Sequence, residues 1–184
     1  MKFKTVSLFW IFGLLCISLN SNSQERKLSR QELKEVRKAQ LEANFWAIDS
    51  LLNAKSFVLE ADYLQNQYGD RVVVTPTLNF IKLNETNGIL QTGSNWRMGT
   101  NYVGGVTAEG PIGKYQVYKD PKKMSFTLQF SLLTSIGHYD VTMTVMANAS
   151  ARATISGLGP GKLTWDGHLE TIENSRVFKG QDTI

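Results

Sequence analysis

The sequence has 184 residues, with 20 basic and 16 acidic side chains and a formal net charge of +4. Two of the basic residues, Lys2 and Lys4, lie at the very start, and without them the chain carries 18 basic and 16 acidic side chains. A balance this close to neutral argues against the strongly basic surface of nucleic-acid-binding proteins, so we expect no nucleic-acid partner.

The first 23 residues show the three parts of a secretory signal. Lys2 and Lys4 give a positive start, residues 6–19 form an apolar run of about 14 residues, and Ser21 and Ser23 are small residues before Gln24. The run is shorter than the roughly 20 residues that span a bilayer. We therefore predict a signal peptide, residues 1–23, cleaved after Ser23, and export to the periplasm, the outer membrane or the exterior, with no membrane span remaining.

Cys16 is the only cysteine and lies inside this apolar run. Leu14 and Leu15 precede it, where lipid attachment would require small residues. After cleavage the chain would contain no cysteine, which excludes disulfides, thiolate metal ligands and a cysteine nucleophile. The remaining residues, about 160, suit one domain with a sizeable core.

Residues 29–54 are predicted to form one helix. Ser29 and Glu32 have the spacing of a capping box, in which each side chain bonds the other residue's backbone N–H. The first part, residues 24–44, is heavily charged, and we expect it to be solvated. The second half is apolar, and we expect it to dock on the domain.

From Ser56 onward the apolar residues recur every second position, which predicts β-strands. Asn87-Gly88 is typical of a two-residue hairpin turn. The clearest strands are predicted at 124–132, 139–147, 151–156 and 163–170, and weaker ones at 57–63, 71–74, 79–83, 89–92, 105–109 and 114–118.

These strands predict a mainly β domain over residues 45–175. Short strands with one apolar face favour a single antiparallel meander, which must hide that face. We predict a strongly curved, barrel-like sheet with the N-terminal helix packed on it; a two-sheet β-sandwich is the alternative. The polar tail, residues 176–184, is expected to fray at its end.

The most distinctive stretch is residues 101–110, with the sequence NYVGGVTAEG. Together with the signal, the helix, the late strand at 148–156 and the following Trp165-Asp166-Gly167, it resembles an uncharacterised family of exported Bacteroidetes proteins, domain of unknown function 4251 (DUF4251). The resemblance covers about residues 45–175. It implies an exported β domain, and it supplies no catalytic residues because the family has no established activity.

The glycines Gly104, Gly105 and Gly110 do not form a phosphate-binding loop, because the Lys-Ser/Thr pair of that motif is missing. They are interpreted as sites of a bend, a bulge or close backbone approach. A ligand-facing loop is the alternative, with three polar candidates: Asn101, Tyr102 and Glu109.

No catalytic or metal motif stands out. His138 and His168 fall on the polar sides of their strands, where exposed residues are expected, and neither has a metal-ligand spacing. No G-x-S-x-G elbow is present. We therefore expect no metal, no cofactor and no enzyme activity.

Inward-facing aromatic and apolar residues have two interpretations. Most fill the core of a curved sheet, but they could instead line a cavity for a small apolar ligand. With the three polar candidates above, the ligand-binding candidates are Asn101, Tyr102, Glu109, Tyr115, Phe126, Phe130, Met143 and Trp165.

Three functions remain open from the sequence. The first is a non-catalytic envelope protein that binds a small apolar ligand or an envelope partner. The second is a structural or protein-interaction module that acts through the helix or a sheet edge. The third is a hydrolase, which the missing motifs disfavour.

Overall fold

A computed structural model describes residues 29–94, 104–157 and 161–183 of the chain. The unit Val36–Ile184 holds the domain, and the unit before it, Met1–Glu35, is described from Ser29 onward. A short 3₁₀ helix, Pro76–Leu78, precedes the third strand. The other elements are α1 Arg30–Ala54, β1 Ser56–Gln65, β2 Arg71–Val73, β3 Phe80–Asn84, β4 Asn87–Thr92, β5 Val106–Asp120, β6 Ser125–Thr134, β7 Gly137–Met146, β8 Ser150–Ser156 and β9 Lys162–Glu170.

The strands form one antiparallel sheet that closes on itself. Strands β3 to β9 pair in chain order, and β1 pairs with β3 on one edge and with β9 on the other. The short β2 extends the β3 side of β1, where Tyr63 lies opposite Val73. The predicted curved meander is confirmed as an eight-stranded barrel, and the sandwich alternative is wrong because β1 and β9 pair directly.

Alternating side chains on β6 and β7 fill the barrel. In the register of these strands, Phe126 faces Val145 and Leu128 faces Met143, and the next inward pairs continue the pattern. These four side chains are at most 3% exposed. Burying a side chain of this size stabilises a fold by about 1.5–3 kcal/mol, so the inward face determines the register.

The helix α1 is fixed at both ends as the sequence predicts. At its start, the Ser29 N–H donates to the Glu32 carboxylate and the Glu32 N–H donates to Ser29 Oγ, and the first of these bonds lowers the pKa of Glu32. In its second half, Phe45 stacks on Phe126 with 4.6 Å between ring centroids, and Leu52 is fully buried. The helix therefore covers the barrel interior on that side. In the described part of the chain, no helix is long and apolar enough to cross a membrane.

Two glycines allow backbones to approach closely. A Cβ at Gly167 would lie 1.9 Å from the Glu60 carbonyl oxygen, and a Cβ at Gly110 would lie 1.9 Å from the Leu133 carbonyl oxygen. Gly167 sits in the β1–β9 pairing beside a register shift that follows Ala61. These contacts favour the structural interpretation of Gly110, and they make Gly167 part of barrel closure.

The separate strands predicted at 105–109 and 114–118 are one strand, β5, and that prediction is wrong. The first half of β5 pairs with β4, and the second half pairs with β6. Lys114 has a φ of +49° at a bulge in the β5–β6 register. The irregularity interrupts the alternation in the sequence without ending the strand.

The tail, which we expected to fray at its end, is hydrogen-bonded to the barrel as far as residue 183. Residues 175–183, which we call the strap, lie across the outer side of the barrel. Gln91 binds the strap on both sides of Lys179, because its Nε2 donates to the Phe178 carbonyl at 2.7 Å and its Oε1 accepts from the Gly180 N–H at 2.7 Å. At the end of the strap, the Thr183 N–H donates to the Thr107 carbonyl at 3.0 Å.

We predict that Gln91→Leu destabilises the protein far more than Gln129→Leu on the exposed side of β6. Gln91 is fully buried, and its side chain also bonds Thr107 Oγ1 and the Leu78 carbonyl. Replacing it leaves buried polar groups unpaired, which costs about 2–3 kcal/mol. Urea unfolding followed by circular dichroism measures the difference. Equal midpoints for the two variants would contradict the role given to Gln91.

Candidate functional site

The residues predicted to line an interior cavity lie in one packed core. Phe126, Phe130, Met143 and Trp165 are each at most 3% exposed and belong to a single cluster. Tyr115 packs against that cluster, and its hydroxyl donates to the Leu52 carbonyl at 2.6 Å. That carbonyl lies in the last turn of α1 and also accepts from the Lys55 N–H, so Tyr115 ties the helix end to the barrel.

Burial affects two polar groups among these residues. It raises the pKa of Tyr115, whose hydroxyl therefore stays a hydrogen-bond donor. The Trp165 Nε1–H makes no hydrogen bond within the described residues, although a buried donor normally has a partner. An interior ligand site stays a prediction, and Trp165 Nε1 is the polar contact that it would offer.

Of the three polar candidates, Glu109 lies in the described part of the chain. Asn101 and Tyr102 lie outside the described residues. Glu109 projects outward from β5 and forms an ion pair with Lys179 of the strap. The hydrogen bonds to Glu109 and Asp182 raise the pKa of Lys179 against the opposing effect of its burial. Glu109 therefore helps to hold the strap.

A cleft lies on the outer wall of the barrel, where β1, β2, β7, β8 and β9 meet. It has a volume of about 490 Å³, within the range of small-molecule sites. We call it the arginine cleft, and its lining residues are Asp62, Tyr63, Arg71, Thr144, Met146, Ser150, Ala151, Arg152, Asp166 and Gly167.

One carboxylate holds both arginines of this cleft. The Arg152 Nε donates to one oxygen of Asp166 at 2.5 Å, and an Nη of Arg152 donates to the other at 3.1 Å. This hydrogen bonding raises the pKa of Arg152. An Nη of Arg71 lies 3.5 Å from the same carboxylate, and its guanidinium carbon lies 3.8 Å above the ring of Tyr63. Both guanidinium groups are therefore oriented by neighbours.

The second acid of the cleft is engaged with a histidine. His168 Nδ1 lies 3.4 Å from Asp62, while its Nε2 lies 3.8 Å from Glu60, which in turn accepts a hydrogen bond from Ser175 of the strap. The two carboxylates approach opposite nitrogens of one imidazole, so they do not converge on a single point as metal ligands must. Within the described residues, no cluster of three His, Asp or Glu side chains could hold a metal ion.

A second cleft of about 400 Å³ lies at the bulge of β5, where Lys114, Gln129 and Asp140 surround buried Phe130 and Val141. Phe130 is the one predicted cavity residue that lines it. Among the described residues, no hydrogen bond or ion pair joins the polar side chains of this cleft to one another. This cleft is therefore less organised than the arginine cleft.

These features define a class of protein: a closed antiparallel β-barrel with one helix packed on it and a polar cleft on its outer wall. A family model described as domain of unknown function (DUF4251) matches residues 39–169, and the chain belongs to that family. A crystal structure of a DUF4251 family protein from Bacteroides eggerthii DSM 20697 has a similar fold, with a TM-score of 0.62 and 26% sequence identity. The match covers 74% of this chain and 93% of that chain. No curated protein matches the chain significantly.

The arginine cleft was not predicted from the sequence, although part of its signal is present there. In the antiparallel pairing of β8 with β9, Arg152 lies directly opposite Asp166, both on the outward side of their strands. An ion pair across β8 and β9 follows from that register. Arg71 and Tyr63 reach the same place only because β1 pairs with β9, more than 90 residues away in the sequence.

Proposed function

We propose that this chain is an exported, non-catalytic binding domain and that the arginine cleft is its binding site. The observation that carries the proposal is the fixed pair of guanidinium groups around Asp166, both partly exposed at the opening of the cleft. Oriented polar groups around a concave surface are the usual means by which a pocket positions a small ligand. Tyr63 and Met146 add apolar surface beside them, at 37% and 40% exposure.

The packing of the interior supports a site on the outside. The inward residues named as a cavity wall contact one another in the core, and helix α1 covers them on one side. A small apolar ligand inside the barrel would have to displace those contacts. A ligand on the outer wall displaces only water.

The geometry of the acids supports a binding role over hydrolysis. Both oxygens of Asp166 accept hydrogen bonds from Arg152, so this carboxylate is already engaged by a partner within the protein. Asp62 faces His168. Glycoside hydrolysis requires two carboxylates that flank an open substrate position. The two acids of the arginine cleft are not arranged in this way.

A protein-interaction module is the second candidate, favoured by the edge strand β2. Within the described residues this strand pairs with β1 on one side only, and Val72 and Val73 are 56% and 78% exposed. An exposed apolar edge is a place where a partner strand can pair. β2 also supplies Arg71 to the arginine cleft, so a partner there would contact the proposed site.

Export is supported by the signal-like features of residues 1–23. We expect the protein recovered from the envelope of a Bacteroides host to begin at Gln24, because Ser21 and Ser23 provide the small residues that signal peptidase needs. Intact mass spectrometry measures this directly. A full-length mass that includes residues 1–23 would contradict cleavage.

The binding site is tested by filling the cleft. Thr144 and Thr142 are both exposed on the outer side of β7, but only Thr144 lines the arginine cleft. Small polar fragments titrated into ¹⁵N-labelled protein should shift the amides of residues 62–63, 71, 144–152 and 166–167. Thr144→Tyr should abolish these shifts because its ring occupies the cleft, whereas the matched control Thr142→Tyr should retain them. The proposal would be contradicted if the fragments shifted only amides of residues whose side chains face the core. It would also be contradicted if Thr144→Tyr left the shifts unchanged.

A further inference from the structure

The arginine cleft presents more hydrogen-bond donors than its own residues use. A guanidinium carries five N–H donors in a planar fork. Arg152 uses its Nε and one Nη on Asp166, and Arg71 contacts the same carboxylate through one Nη. Asp166 is only 14% exposed, while the side chains of Arg152 and Arg71 are 63% and 46% exposed. The two guanidinium groups are therefore much more exposed than the Asp166 carboxylate that they bind.

The acids of the cleft are turned toward partners within the protein. Asp166 faces the two arginines, and Asp62 lies 3.4 Å from His168. The four charges of the lining balance and Asp62 is 44% exposed, but Asp166 is only 14% exposed and both of its oxygens are bonded to Arg152, which leaves unused N–H donors on the exposed guanidinium groups. A ligand that supplies oxygen acceptors therefore matches this surface better than a cation or an apolar molecule does.

The guanidinium groups of Arg152 and Arg71 are held in place before a ligand binds. Two hydrogen bonds to Asp166 fix the plane of the Arg152 guanidinium, and the ring of Tyr63 supports the face of Arg71. Preorganised side chains lose less conformational entropy on binding. Two oxygens of one anionic group can bond a guanidinium in parallel, which a single hydroxyl cannot do.

We infer that the arginine cleft binds a small ligand through a carboxylate or phosphate group that contacts Arg152 and Arg71. This inference rests on the proposed function and names the chemical class of its ligand. The cleft volume of about 490 Å³ leaves room for a ring-sized remainder of the ligand beside Tyr63, Met146 and Ala151.

Three sugars with the same pyranose ring test this inference: glucuronate carries a carboxylate, glucose 6-phosphate carries a phosphate, and glucose is neutral. Titrated into ¹⁵N-labelled protein at millimolar concentrations, at least one anionic sugar should shift the amides of residues 150–152 and 166–167, and glucose should not. Binding of glucuronate alone identifies a carboxylate ligand, and binding of glucose 6-phosphate alone identifies a phosphate ligand.

Two variants of Arg152 and one matched control distinguish the contribution of the planar guanidinium group from that of its positive charge. Arg152→Gln should weaken binding of the anionic sugar about tenfold or more, because a charge-assisted hydrogen bond is lost. Arg152→Lys should also weaken it, since lysine keeps the charge but has no planar fork. Arg176→Gln, an equal change of charge at an exposed position on the strap, should leave it unchanged.

Several results would overturn the inference. If glucose shifts the cleft amides as strongly as the anionic sugars do, the anion preference is wrong while the cleft remains a binding site. If neither anionic sugar shifts these amides, or if Arg152→Lys binds as well as the original protein, the inference is wrong. If the shifts map to another surface, the proposed site is wrong as well.

Discussion

The pairing of β1 with β9 is the interaction on which the rest of the structure depends. It joins residues 58–65 to residues 164–170 and turns an open meander into a closed barrel. Gly167 permits the close approach, because any side chain there would meet the Glu60 carbonyl. Closure removes the free edges of β1 and β9 and gives each strand one inner and one outer face.

Closure also separates the two possible places for a ligand. On the inside, the alternating apolar residues of eight strands and the apolar face of α1 form one core. On the outside, closure brings Asp62 and Tyr63 of β1 beside Asp166 of β9 and so assembles the arginine cleft. The same pairing that fills the interior therefore builds the polar site, and the strap adds a second polar surface held by Gln91 and Glu109.

The parts that the sequence predicts are those governed by local patterns. The alternation from Phe126 to Leu132, and the capping box at Ser29, depend on neighbours within a few residues, and both predictions are confirmed. The strap was not predicted, because it is polar and its partners, such as Gln91, lie nearly 90 residues earlier. The cleft was missed for the same reason: the alternation places Arg152 and Asp166 outward, but only barrel closure brings Arg71 to them.

The claim that the interior is filled and the binding surface lies outside is tested most directly with a neutral apolar probe. We expect N-phenyl-1-naphthylamine to show no saturable fluorescence increase with the purified protein, because the side chains around Trp165 already contact one another. Saturable binding of one probe per protein, accompanied by a shift of the Trp165 Nε1–H signal in NMR spectra, would contradict this account and place a ligand inside the barrel.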